Sequence, residues 1–161
     1  METEILAWHF VGKTLRDGSP IPPDGVWLKY PGPIKMCESG FHWSREPFDA
    51  LQYAPGPVLC RVAARGEVLE HNDKGDSSER MIIARFDATE MLRYYARMQA
   101  LSCVHLWDAP DLVLAWLMTG NTELRSAADS AADSAARSAA RSAARSEFNS
   151  LVTECFEGVR Q

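Results

Sequence analysis

Glu38, Ser39, His42 and Ser44 fall in one short segment, CESGFHWS, among apolar neighbours and just ahead of a helix signal. A strand end there would present carboxylate, hydroxyl and imidazole groups, with free backbone N–H groups, to a cleft. That makes the segment a candidate site; alternatively, Glu38 and His42 form a hydrogen-bonded loop pair. A second histidine, His9, lies in ILAWHFV. Strand alternation puts it on one face with Ile5, Ala7 and Val11, opposite Leu6, Trp8 and Phe10. It is either a hydrogen-bonded strand histidine or a pocket histidine. Further along, His71 stands near Asp73 and Asp76, which reads as a metal cluster or as a polar loop. His105 is isolated and structural. The chain has no GxxxxGK[ST], HExxH, GxSxG or Cys-His zinc pattern.

The elements that must position these groups follow from periodicity and turn chemistry. Ile5–Val11 is an opening strand, ended by Gly12. Residues 15–25, dense in Pro, Gly and Asp, form a loop fit to cover a cleft. Short strands are expected at 26–30 and 34–37, with a PGP turn between them. Ser44 caps a short helix, REPFDALQYA, closed by Pro55 and Gly56. VLCRVAARG is a central strand. Residues 67–79 begin extended and become an acidic loop, before RMIIARF forms the last strand. From Asp87 the pattern turns helical, with a capping box to Glu90 and a stripe of Met91, Tyr94, Tyr95, Met98, Leu101 and Cys103. A second helix runs from Asp108 to Gly120. The tail repeats SAAD or SAAR five times over 126–145 and predicts one long helix capped by Asn121 or Thr122. Asp133 is placed to pair with Arg137, and Phe148, Leu151, Val152, Cys155 and Phe156 form an apolar face near its end.

A four-residue repeat on a 3.6-residue turn advances the alanine stripe by about 40° per unit. The stripe winds, so the helix is expected to dock on the body over part of its length, as a spacer or as an oligomerisation or partner-binding arm.

The chain has 161 residues with 17 basic and 22 acidic side chains, a net charge of −5. That balance lacks the positive field that non-specific nucleic-acid binding needs. No apolar run approaches the ~20 residues of a membrane span, and the acidic N-terminus does not read as a signal peptide. Cys37, Cys60, Cys103 and Cys155 lack ligand spacing and read as reduced core residues. The expectation is an α+β fold, a small twisted, mostly antiparallel sheet with C-terminal helices including the long Ala-rich one. Its domains are 1–86 as the α+β core, 87–120 as helices packed on that core, and 121–161 as the repeat helix.

The segments CESGFHWS, PFDALQYA and VLCRVAARGEV resemble an uncharacterised phage and prophage family whose members often end in Ala-rich repeats. Over about residues 5 to 86, the same core with AWHFVGKTLRDGSPI also resembles small ADP-ribosyltransferases of the kind that inactivate rifamycins. The first resemblance implies a phage accessory protein in the host cytoplasm that binds a host protein or protein–nucleic-acid complex, an anti-CRISPR-like inhibitor of a defence system. The second implies a transferase-like fold and an NAD-dependent mono-ADP-ribosyltransferase. In it His9 would hold the nicotinamide ribose and His42 would stand where a tyrosine is usual, with Phe41, Trp43 and Ser44 beside NAD. Glu70 or Asp73, with Glu79 further along, would be the acid that stabilises charge developing on the ribose. A third reading is an oligomeric scaffold assembled through residues 126–145.

Overall fold

β-branched, aromatic and small residues alternate in ILAWHFV, and the opening strand they build has two buried faces. A computed structural model describes residues 4–159, with the side chains of 144 and 147–159 outside that description. The described residues fall into two units, divided after Leu92.

The first unit contains β1 (Ile5–Val11), β2 (Trp27–Lys29), β3 (Phe41–Trp43), α1 (Pro47–Leu51), β4 (Val58–Glu70) and β5 (Gly75–Asp87). All strand pairs are antiparallel, in the order β1-β4-β5-β2, with β3 also on β5. The central place of VLCRVAARG is therefore as expected. β3 pairs with residues 75–77 of β5 and β2 with 79–81, so the two short strands share one edge of the long one. Directly after β3, Ser44 returns to β1, exchanging both backbone hydrogen bonds with Trp8 at 2.8 and 2.9 Å. This single bridge carries His9 and His42 to the same region.

Strand alternation sorts the core. Ala7 and Val11 join Trp43, Cys60, Val62, Ala64 and Ile82 in one cluster, while Phe10 joins Ala50, Leu59 and Ala88 in another. Trp43 lies flat on the backbone of β5: a Cβ added to Gly75 would stand 2.3 Å from its ring. The long β4–β5 ladder is interrupted by bulges at 61/62 and at 65–68. At the second bulge Gly66 adopts φ +80°, a left-handed conformation that glycine takes without a Cβ clash, and the Glu67 N–H donates to Ser78 Oγ at 2.9 Å.

Several expectations are corrected here. Residues 34–37 are not a strand; they enter a turn over 36–38, closed by a Lys35–Ser39 bridge, with Cys37 at φ +65°. Ser44 does not cap α1. It is extended and buried in the bridge to β1, and Glu46 is the N-cap, with no side-chain cap hydrogen bond. The acidic loop is far shorter than its composition implies: β4 runs to Glu70 and β5 starts at Gly75, so GDSSE is strand and Asp76 and Ser77 are fully buried. Polar groups sit inside this ladder because its ends are paired by β3 and satisfied by neighbouring backbone, as in the Ser77 hydroxyl donating to Glu79 O at 3.0 Å. Of the cysteines, Cys60 is buried, whereas Cys37 and Cys103 are exposed and free; Cys155 lies outside the described side chains.

The remaining elements are α2 (Thr89–Ser102), a 3₁₀ turn (Val104–Leu106), α3 (Asp111–Thr119) and α4 (Thr122–Val159). Asp87 does cap locally, its Oδ1 accepting the Thr89 N–H at 2.9 Å, but α2 starts at Thr89, one residue later than the capping box implies. α3 begins after Pro110 and stops at Gly120 in the left-handed conformation. α4 is continuous over 38 residues, roughly 57 Å at 1.5 Å per residue. Asn121 Oδ1 accepts the Glu123 N–H at 2.9 Å, and Asp133 reaches Arg137 at 3.9 Å. Ala128 is buried with Val113 and Leu117 of α3, and Ala131 and Ala132 pack beside them; from 136 to 143 the helix is exposed. The winding stripe accounts for this: two repeat units face α3, and the next have rotated away. The apolar face at Phe148, Leu151, Val152, Cys155 and Phe156 lies outside the described side chains.

Candidate functional site

β1, β3, β5 and the loops at 12–17 and 37–40 enclose a cleft of about 950 Å³. His9, Phe41, His42, Trp43 and Ser44 all line it, and so do Tyr30, Cys37, Tyr53, Lys74 and Arg80. His9 is half-buried, and burial, followed by the nearby charges of Arg80 and His42, holds its imidazole well below the ordinary histidine range. It is neutral at pH 7. His42 sits opposite Asp76 in the β3–β5 register. Its pKa is lowered chiefly by burial; Asp76 opposes that effect, and Arg16, Arg80 and Lys74 add to it.

Asp76 is the fully buried carboxylate of the site. Its Oδ2 accepts the Cys37 N–H at 2.9 Å, which holds the left-handed turn at 36–38. Its Oδ1 lies 3.2 Å from His42 Nε2 but is not aligned as a hydrogen-bond acceptor, so the contact is electrostatic. Arg16 Nη1 donates to Cys37 O at 3.1 Å and ties the Pro/Gly-rich loop to the same turn. Arg80, only 4 % exposed, donates from Nη1 to His42 O and stands 5.4 Å from the Phe41 ring centroid. Burial lowers its pKa to about 10, which leaves it charged at neutral pH. Tyr30 meets Phe41 edge-on at 6.3 Å.

The acids named from the sequence are placed elsewhere. Glu70 receives both Nε and Nη2 of Arg45, at 2.7 and 2.9 Å, and that pair holds its carboxyl below the usual range. Asp73 accepts the Tyr53 hydroxyl, which lowers the carboxyl and raises the phenol. Glu79 pairs with Arg65 at 2.8 Å and Lys29 at 3.0 Å. None of the three lines the cleft, whose carboxylates are Asp17 and Glu38. Glu38 reaches Lys35 at 3.6 Å on the exposed side, rather than His42. The Ser39 hydroxyl donates to Pro33 O at 3.0 Å and accepts the Lys35 N–H at 2.9 Å. His71 closes the β4–β5 turn through its backbone, and among the described residues no group of three His, Cys, Asp or Glu could hold a metal ion.

Sequence reasoning named Asp76 only as a candidate metal ligand beside His71, and missed Arg80. Their signal was their spacing: on a strand, residues four apart share a face, so the acid of GDSSE and the arginine opening RMIIARF point the same way.

The family model described as a domain of unknown function, DUF7666, matches residues 5–94, and the chain belongs to that family. No curated protein and no solved structure matches the chain. Among the described residues, no helix is long and apolar enough to cross a membrane.

Proposed function

We propose that this member of the DUF7666 family acts by binding, as a phage or prophage accessory protein that engages a host protein or protein–nucleic-acid complex in the host cytoplasm, in the manner of a defence inhibitor. The observation that carries binding over catalysis is the placement of the acids. Glu70 is held by Arg45 and Asp73 by Tyr53, so neither faces the cleft. The cleft instead holds Lys13, Arg16, Lys74 and Arg80 against Asp17 and Glu38, an excess of positive charge that opposes an oxocarbenium-like ribose. The phage setting rests on the resemblance of CESGFHWS and the Ala-rich repeats. Affinity capture from host lysate with the full chain tests it: a stoichiometric partner competed by untagged protein is expected, and its absence together with consumption of NAD overturns it.

A second reading, the NAD-dependent mono-ADP-ribosyltransferase, is favoured by one observation: His9, Phe41, His42, Trp43 and Ser44 line a single cleft. Calorimetric titration of NAD, repeated with His9→Ala, decides it. Saturable binding lost in the variant supports the transferase; no binding at millimolar NAD removes it.

A further inference from the structure

Arg80 is placed unlike the other ion-pairing arginines of the first unit. Arg45, Arg65 and Arg85 each reach a carboxylate within ion-pair distance. Arg80 is buried, and among the described residues no carboxylate lies within ion-pair distance of it. A buried guanidinium with no carboxylate in direct contact is costly, and here buried Asp76 acts on Arg80 only from beyond ion-pair distance. One of its N–H groups is satisfied by His42 O. No group accepts from Nε or Nη2, and neither is among the sealed polar atoms that lack partners, so each keeps some accessible surface on a residue that lines the cleft. The local field has the same sign: Lys13, Arg16 and Lys74 line this cleft too, in a chain whose net charge is −5. Low-dielectric walls focus such a field on incoming anions.

We propose that Arg80 forms the floor of an oxyanion subsite, which takes the phosphoryl or carboxylate group of a small ligand, with Arg16 and Lys74 as the cations at its mouth. The planar fork of the guanidinium suits two oxygens of one group, and burial makes each of those charge-assisted bonds stronger than it would be in water. Neutral His9 and the edge-on pair of Tyr30 and Phe41 line the same cleft and supply one polar contact and apolar walls to whatever carries the anion. The inference does not depend on the partner proposed above. It also stands apart from the transferase reading, because a fixed cation beside His42 repels the cationic nicotinamide ring.

Calorimetry of the full chain at fixed ionic strength tests the subsite, with inorganic phosphate, pyrophosphate, succinate and NAD as probes. Saturable binding of at least one simple anion is expected, and its identity separates a phosphoryl from a carboxylate source. Arg80→Met should weaken it by roughly tenfold or more, the scale of a lost charged hydrogen bond. The same variant loses the bond to His42 O and the cation that acts on buried Asp76, so it should melt below the wild-type temperature. Exposed Arg16→Gln, which leaves the core untouched, should weaken binding severalfold, and Arg80→Lys should keep charge but lose the fork. Should Arg80→Met fail to fold, these two variants carry the test. Failure of all three simple anions to bind at millimolar concentration, or unaltered affinity in every variant, overturns the proposal. Pyrophosphate binding without NAD binding supports the subsite and removes the transferase.

Discussion

Asp76 holds the site together at the scale of single residues. It is fully buried, accepts the Cys37 N–H, and faces His42 at 3.2 Å. Asp76→Ala leaves that N–H without an acceptor and releases a left-handed cysteine, so a loss of about 1–3 kcal/mol is expected by urea denaturation. The histidines give a second test. Burial depresses both His9 and His42, so between their folded pKa values and the ordinary 6.5 the unfolded chain binds more protons than the folded one. Stability is therefore fully present above about pH 6.5 and falls as the pH drops through that window, by up to about 1.4 kcal/mol per pH unit for each histidine. Melting temperatures measured from pH 7.5 down to pH 5 should decline, and His9→Gln should flatten the decline. A profile unchanged by that substitution would show that His9 is not desolvated as the cleft implies. His9 and His42 were legible from the sequence because a histidine in an apolar run is conspicuous. Asp76 was not, because GDSSE looks like any solvated turn until β3 is laid against it.

Among the elements, β1 and α3 were readable because each has one period and a clear stop, and α4 because its alanine repeat and its cap are unmistakable. The β4–β5 hairpin was readable only in its apolar half. Residues 67–79 have the composition of a loop, and their strand conformation comes from pairing within the β4–β5 hairpin and of β5 with β2 and β3, partnerships no local pattern discloses. This tertiary dependence makes a prediction at Gly75. Its Cα hydrogen faces the Trp43 ring, and an added Cβ would have to displace a side chain that is 2 % exposed and lines the cleft. Gly75→Ala should cost about 1–3 kcal/mol and shift the tryptophan emission, as β3 lifts from β5. By contrast, the Arg45–Glu70 pair lies on the surface, with side chains 50 % and 37 % exposed. Glu70→Gln should change stability by less than about 1 kcal/mol. It should also leave ligand binding in the cleft unaltered, whereas a catalytic Glu70 would abolish any turnover of NAD.

For the whole molecule, the open question is why a chain of this size carries a helix of 38 residues. Its packing on α3 uses Ala128, Ala131 and Ala132, and the helix is exposed from 136 through 143. An exposed alanine stripe permits close approach of a second helix but buries little apolar area per residue, and a stripe that winds by about 40° per repeat presents any straight partner with only a short contact. That geometry argues against self-assembly through 126–145, and we propose that the arm acts as a spacer. Deleting residues 134–145 removes three repeats and three arginines while sparing the alanines that pack on α3. Light scattering should give the same number of chains per particle before and after the deletion, and the anion-binding cleft of the sheet unit should be unaffected. A particle that loses chains on deletion would instead establish the scaffold, with the repeats as its interface; unchanged stoichiometry with loss of the captured host partner would place the binding surface on the arm.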